Sequence, residues 1–136
     1  MADFTGTGYI ALPTSVHIKD SQIHGQGLFA KEPIPVNTEI GEAHVFLMQD
    51  FNDETREWKR KEWIRTPLGA FINHNNDANA FVEVRTPYEY PNTTVLITAK
   101  DIYEGEEITV SYDEGTFADL GLWVLKKTHI VRYQKV

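Results

Sequence analysis

The chain has 136 residues, no cysteine and a formal net charge of −7. Its length fits one domain with a real core, taken here as residues 1–136, and 41% apolar with 12% aromatic residues argues against disorder. Without cysteine, disulfides, thiolate nucleophiles and cysteine-based zinc sites are excluded together.

In chain order, Ser15–Lys19 alternates and predicts a strand that ends at Asp20-Ser21. Gly25 and Gly27 bracket a tight turn into Leu28-Phe29-Ala30, and Pro33, Pro35 and Asn37 punctuate a loop before a strand from Glu39 to Leu47. A helix is predicted from Asn52 or Asp53 to about Arg65. Asp53 and Glu54 stand at its positive end, basic residues cluster late, and Pro67 and Gly69 close it. Trp58 and Trp63 would be its two contacts with the sheet. Leu68–Ile72 is apolar and then gives way to the polar run Asn73-His74-Asn-Asn-Asp77-Ala-Asn79. Ala80–Arg85 alternates strictly and Thr93–Ala99 is β-branched, so a hairpin with its loop at Pro87–Asn92 is expected. Asp101–Gly105 turns into a further strand, Glu107–Ser111, which ends on Tyr112. The tail from Thr116 stays ambiguous: Phe117, Leu120, Val124 and Leu125 fit helical spacing, but Thr128 onward is strand-like. Many short strands, one helix and dense turns give a mainly-β domain.

Charge is unevenly placed. Residues 1–114 carry net −10 and residues 115–136 net +3. The acidic body disfavours direct nucleic-acid contact and suits a basic, lysine-bearing partner, or simply keeps the protein soluble. No run reaches the roughly 18–20 apolar residues of a membrane span. Met1–Gly8 lacks the pattern of a secretory signal, so an intracellular location away from membranes is expected.

Three segments, His24-Gly-Gln-Gly27-Leu-Phe-Ala30, Phe71-Ile-Asn73-His74 with the run behind it, and Gly105-Glu-Glu-Ile-Thr-Val-Ser-Tyr112, stand in an order and spacing that resembles the SET-domain protein-lysine methyltransferases. The match spans about residues 15–114, with 115–136 as a closing segment. In economy the chain resembles the minimal viral and phage-type members. The resemblance implies a β-clip-like fold of small curved sheets with one short inserted helix and a C-terminal pseudoknot. It also implies transfer of a methyl group from S-adenosyl-L-methionine, leaving S-adenosyl-L-homocysteine, to a lysine of a basic or histone-like protein. The alternative is an inactive SET module that binds peptide or protein.

Such a reaction is an in-line displacement by a neutral amine, and at pH 7 only about 0.04% of free lysine is neutral. A desolvating channel and an aligned donor are therefore needed, but no metal. By resemblance Tyr112 is the catalytic residue and also touches the donor. His24, Gly25, Gln26 and Gly27 hold the donor's amino-acid end by close main-chain approach, and Asn73 and His74 hold its adenine and brace the C-terminal segment. A lone Tyr, GxG or Asx-rich loop would each be ordinary packing; their combination is the signal. The family's second channel tyrosine is missing: Glu42 is followed by Ala43 and His44, and Ala70 stands where a polar residue is common. Phe46, Tyr103, Phe117 or Trp123 could supply aromatic walls instead. A homodimer, with Trp58 or Trp63 in the contact, is the expected assembly.

Overall fold

A computed structural model describes residues 12–86, 92–122 and 130–132, and the side chains of these except at 49–50, 58–60 and 130–132. Residues 87–91 of the expected loop at Pro87–Asn92, Val124, Leu125, the wall candidate Trp123 and the side chain of Trp58 lie outside the described residues. Strands β1 (Val16–Asp20), β2 (Gln26–Ala30), β5 (Asn73–His74) and β8 (Glu107–Val110) form a sheet in the order β1-β2-β8-β5. A second sheet has the order β6-β7-β3-β4-β9, from β3 (Glu39–Asn52), β4 (Glu57–Arg65), β6 (Ala80–Arg85), β7 (Thr93–Thr98) and β9 (Ile130–Arg132). The mainly-β reading of the sequence holds.

Alternation decides which faces are covered. In β6, Ala80 and Val82 are buried while Phe81 and Glu83 face out. Leu28 of β2, Ile108 and Val110 of β8, and Phe46, Trp63, Val82 and Leu96 of the larger sheet join Leu68, Ile72 and Ile102 in one core. Both sheets therefore share a single apolar centre, as a domain of this size requires.

The helix predicted over 52–65 does not exist. β3 runs on to Asn52, four residues turn, and β4 returns antiparallel, with Phe46 opposite Trp63. Asn52 Oδ1 accepts from the amides of Glu54 (2.9 Å) and Thr55 (3.1 Å), the same local bonds that an N-cap makes. Arg56 then takes a positive φ of 62°, which reverses the chain instead of continuing a helix. Among the described residues the α-helix is α1 (Gly115–Asp119), in the tail, where Phe117 is buried as its spacing suggested.

The C-terminal crossing depends on β5 and β8, which pair in parallel with Asn73 beside Thr109 and His74 beside Val110. Asn75 N donates to Val110 O at 3.1 Å. The chain leaving β8 is thereby fastened along a segment far from it in sequence, which is the local content of the implied pseudoknot.

Trp63 is fully buried and packs on Phe46 with ring centroids 5.0 Å apart. Trp63→Ala should cost about 3–5 kcal/mol, read as a fall in the urea midpoint at unchanged slope.

Candidate active site

The turn before β2 is built from Ser21. Its Oγ accepts from the amides of Ile23 (2.9 Å) and His24 (3.3 Å), and its own amide donates to Gly25 O at 2.8 Å. Gly25 has φ +47°, and a Cβ there would meet nothing within 4 Å, so backbone conformation selects glycine. Gly27 is glycine for the opposite reason. A Cβ on it would lie 2.2 Å from Glu107 Oε2 and 3.1 Å from Asn73 Nδ2. Both glycines were expected to open the main chain to a ligand; beside Gly27 that space is taken by protein.

Asn73 is buried, and its Nδ2 lies 3.1 Å from His24 O, 3.2 Å from Gln26 O and 2.8 Å from Glu107 Oε2. Two amide hydrogens serve three acceptors, so at least one is shared. The other carboxylate oxygen of Glu107 accepts from Ser21 Oγ at 2.7 Å. Asn79 adds a second brace, donating to Glu107 O (2.9 Å) and accepting from Thr109 N (2.9 Å). The side-chain amide of Asn73 is thus committed to cross-bracing; its share in holding an adenine would have to come through the main chain of this segment. β5 is the sheet edge, and since Asn75 N pairs inward, the alternate main-chain groups of His74 turn to the outer side.

His74 and Tyr112 are fastened to each other. Tyr112 N donates to His74 Nδ1 at 2.9 Å, so the proton of the neutral ring sits on Nε2, which faces Asn76 Oδ1 at 2.9 Å. The Tyr112 hydroxyl donates to the carbonyl of Ile72, and its ring stacks on Phe117 at 4.7 Å and 5°. Burial, with the charge of Glu107 behind it, raises the phenol well above its ordinary range, so the group stays protonated. Its proton is engaged, and its oxygen lone pairs are what it can offer.

Beyond Ile72 and Phe117 lies a small cavity of about 10 Å³, which His44, Arg65, Gly69, Ala70 and Leu122 also line. Ala43 and His44 are both buried. Ala43 O accepts from Thr66 N (2.9 Å), and a Cβ on Gly69 would stand 1.9 Å from it, so β3 and the 3-10 turn Gly69–Phe71 touch through main chain. His44 Nδ1 is 2.8 Å from Thr94 Oγ1, and its ring meets Phe117 edge-on at 5.8 Å. Burial, and secondarily the Arg65 guanidinium, hold this imidazole down at about 3. A larger cavity of about 540 Å³, also lined by Phe117, opens between β6 and α1. Val82 and Val110 line it, with Asp77, Glu83 and Glu114 around it.

All seven residues singled out from the sequence (His24, Gly25, Gln26, Gly27, Asn73, His74 and Tyr112) therefore sit in one connected set of turns and strand ends. Of the aromatic candidates among the described residues, Phe117 stands against Tyr112; Phe46 packs in the core on Trp63, and Tyr103 is 69% exposed. Sequence reasoning missed Glu107, Ser21 and His44. Glu107 lay inside a quoted motif but its partners were 34 and 86 residues away. His44 was noted only beside the position of the missing tyrosine, and its partners Thr94 and Phe117 are distant in sequence.

Two outcomes follow from this geometry. Gly27→Ala must displace Glu107 from Asn73, and should lower unfolding free energy by about 1–3 kcal/mol in urea melts. His44 is neutral when folded and takes up a proton on unfolding below its ordinary value of 6.5. Its contribution is whole above that pH and is lost toward pH 3, at about 1.4 kcal/mol per pH unit. Between pH 6.5 and 5 the wild type should lose stability more steeply than His44→Gln.

The SET domain model matches residues 25–113. A protein of Schizosaccharomyces pombe, a histone-lysine N-methyltransferase specific for H3 lysine-37, is 27% identical over 111 residues, spanning 73% of this chain and 74% of that one. Among solved structures, a candidate histone methyltransferase of Plasmodium falciparum superposes with a TM-score of 0.58 at 23% identity, over 76% of this chain and 96% of that chain. A humanized mutant of the Chaetomium thermophilum Polycomb Repressive Complex 2, bound to an inhibitor, gives 0.53 at 20% identity, over 76% of this chain and 16% of that one. At those identities the structural likeness speaks for the fold. The family match runs from the first glycine of the β2 turn to the residue after Tyr112, and on that match the chain belongs to the SET-domain family.

Proposed function

We propose that the protein is an S-adenosyl-L-methionine-dependent protein-lysine N-methyltransferase acting on a basic, histone-like segment. The observation that carries this reading is the convergence of the β2 turn, the Asn73-His74 edge and Tyr112 through direct hydrogen bonds. The histone-lysine N-methyltransferase named above, a relative of low identity, points the same way.

The residues fit such a donor. Beside Gly25 there is open space. The carbonyls of His24 and Gln26 each accept one bond from Asn73 and have a second lone pair for an ammonium group. The outward N–H and C=O of His74 offer the donor–acceptor pair that a purine edge needs. When bound, the sulfonium compound supplies an electrophilic methyl group. For the chain's part, Tyr112 presents oxygen lone pairs that orient the incoming amine and polarised C–H groups, contacts that steer geometry more than they supply energy. Phe117 and Ile72 exclude water, which favours the neutral amine. Acidic groups around the larger cavity suit basic residues flanking the lysine. An intracellular site of action and a homodimer remain part of the proposal; light scattering would read the second as a doubled mass.

S-adenosyl-L-homocysteine should raise the thermal midpoint, since a ligand of the folded state must do so. Tyr112→Phe keeps the ring on Phe117 and loses the hydroxyl. It should retain that shift while methyl transfer to an array of basic lysine peptides falls about 100-fold. Wild-type protein that binds the ligand and peptides yet labels none would instead be a binding module.

A further inference from the structure

β6 is an outer strand of its sheet, with β7 on one side. The register fixes which main-chain groups that pairing uses. Ala99 N donates to Asn79 O at 2.8 Å, and Phe81, Glu83 and Arg85 stand opposite Ile97, Val95 and Thr93. In an antiparallel pair, opposite residues alternate between bonded and non-bonded. Counting in twos from Asn79, Phe81, Glu83 and Arg85 bond to β7, and the N–H and C=O groups of Ala80, Val82 and Val84 point the other way. An outer edge is usually blunted by proline, by a bulge or by a covering helix or loop. Ala80–Arg85 holds no proline, and its pairing with β7 has no register shift. The cavity of about 540 Å³ is lined by Ala80, Phe81, Val82 and Glu83 in unbroken succession and by the start of α1.

Side-chain direction sets the chemistry of this slot. Val82 turns inward to the core that Val110 and Phe117 share, whereas Phe81 and Glu83 turn out. Phe81 is 40% exposed, a large apolar ring beside the cavity. The charge around it is negative. Asp77 holds Lys100, and Glu83 shares Arg85 with Glu39. With Glu114 on the lining, four acids face two bases.

We infer that this slot docks an extended segment of a basic partner protein, which adds to β6 as a further strand. Main-chain bonds to Ala80, Val82 and Val84 supply affinity, and the pleat supplies specificity. The residue lying beside Val82 faces Val110 and Phe117 and is apolar. The one beside Glu83 faces outward and is cationic. The segment recognised therefore alternates apolar and basic residues. This goes beyond the methyltransferase reading, since docking needs neither donor nor turnover.

A synthetic peptide of alternating lysine and valine, added without methyl donor, tests this by amide hydrogen exchange read residue by residue. With the peptide at about ten times its Kd, the amides of Val82 and Val84 should slow about ten-fold. Those of Phe81 and Glu83, already bonded to β7, should not change. N-methylation of one alternate set of peptide residues should abolish the effect, and of the other set preserve it. Val84→Pro removes an N–H that β7 does not use, and should abolish it too. Glu114→Gln should weaken binding about two- to five-fold. Slowing without the period of two, or at another strand, would overturn the proposal, as would equal binding of a peptide of alternating glutamate and valine. So would slowing of Val82 and Val84 in protein alone that grows with its concentration, since the edge then belongs to a second copy. Should Val84→Pro fail to fold, the two N-methylated peptides decide, and equal effects from both refute strand addition.

Discussion

The half-buried contact between the Asn73 amide and the Glu107 carboxylate holds the rest of the site in place. A carboxylate brought this close to the core needs donors for both oxygens, and it finds them in Asn73 on one side and Ser21 on the other. Asn73 extends the same contact to the carbonyls of His24 and Gln26. One side chain from the start of β8 thereby fixes the glycine turn and the β5 edge at once. Bonds to a charged acceptor are the stronger kind. Gly27 is what lets them form, because any larger residue would occupy the position of the carboxylate.

Tyr112 inherits its position from this lock. Its amide is tied to His74, its hydroxyl to Ile72 and its ring to Phe117. Those three attachments come from β5, from the residue before it and from α1, so neither the ring nor the oxygen can turn without disturbing a different element. A group that works by orientation gains from such restraint, since little freedom is left to lose when a substrate arrives. Phe117 also lines both cavities, which gives α1 a part in the site although it is only five residues long.

The β3–β4 hairpin shows where local chemistry misleads. Asn52 followed by two acids reads as a helix start, because the side-chain bonds to the next amides are the same in a cap and in a turn. The difference lies in Arg56, whose left-handed backbone reverses the chain, and in cross-strand partners such as Phe46 for Trp63 that no window of sequence contains. β6 and β7 were legible because each has one covered face or a β-branched run, which alternation records directly.

Sequence by itself determined the motif residues, the mainly-β class and most strand positions, since these depend on side-chain type, glycine conformation and a period of two along the chain. What tertiary structure alone decided was how the motifs touch. That Gly27 yields to Glu107, that Asn73 is spent on bracing, and that Phe117 and Thr94 close on His44 all involve atoms distant in sequence. Steric exclusion and hydrogen-bond pairing act between neighbours in space, and a linear pattern does not record who those neighbours are.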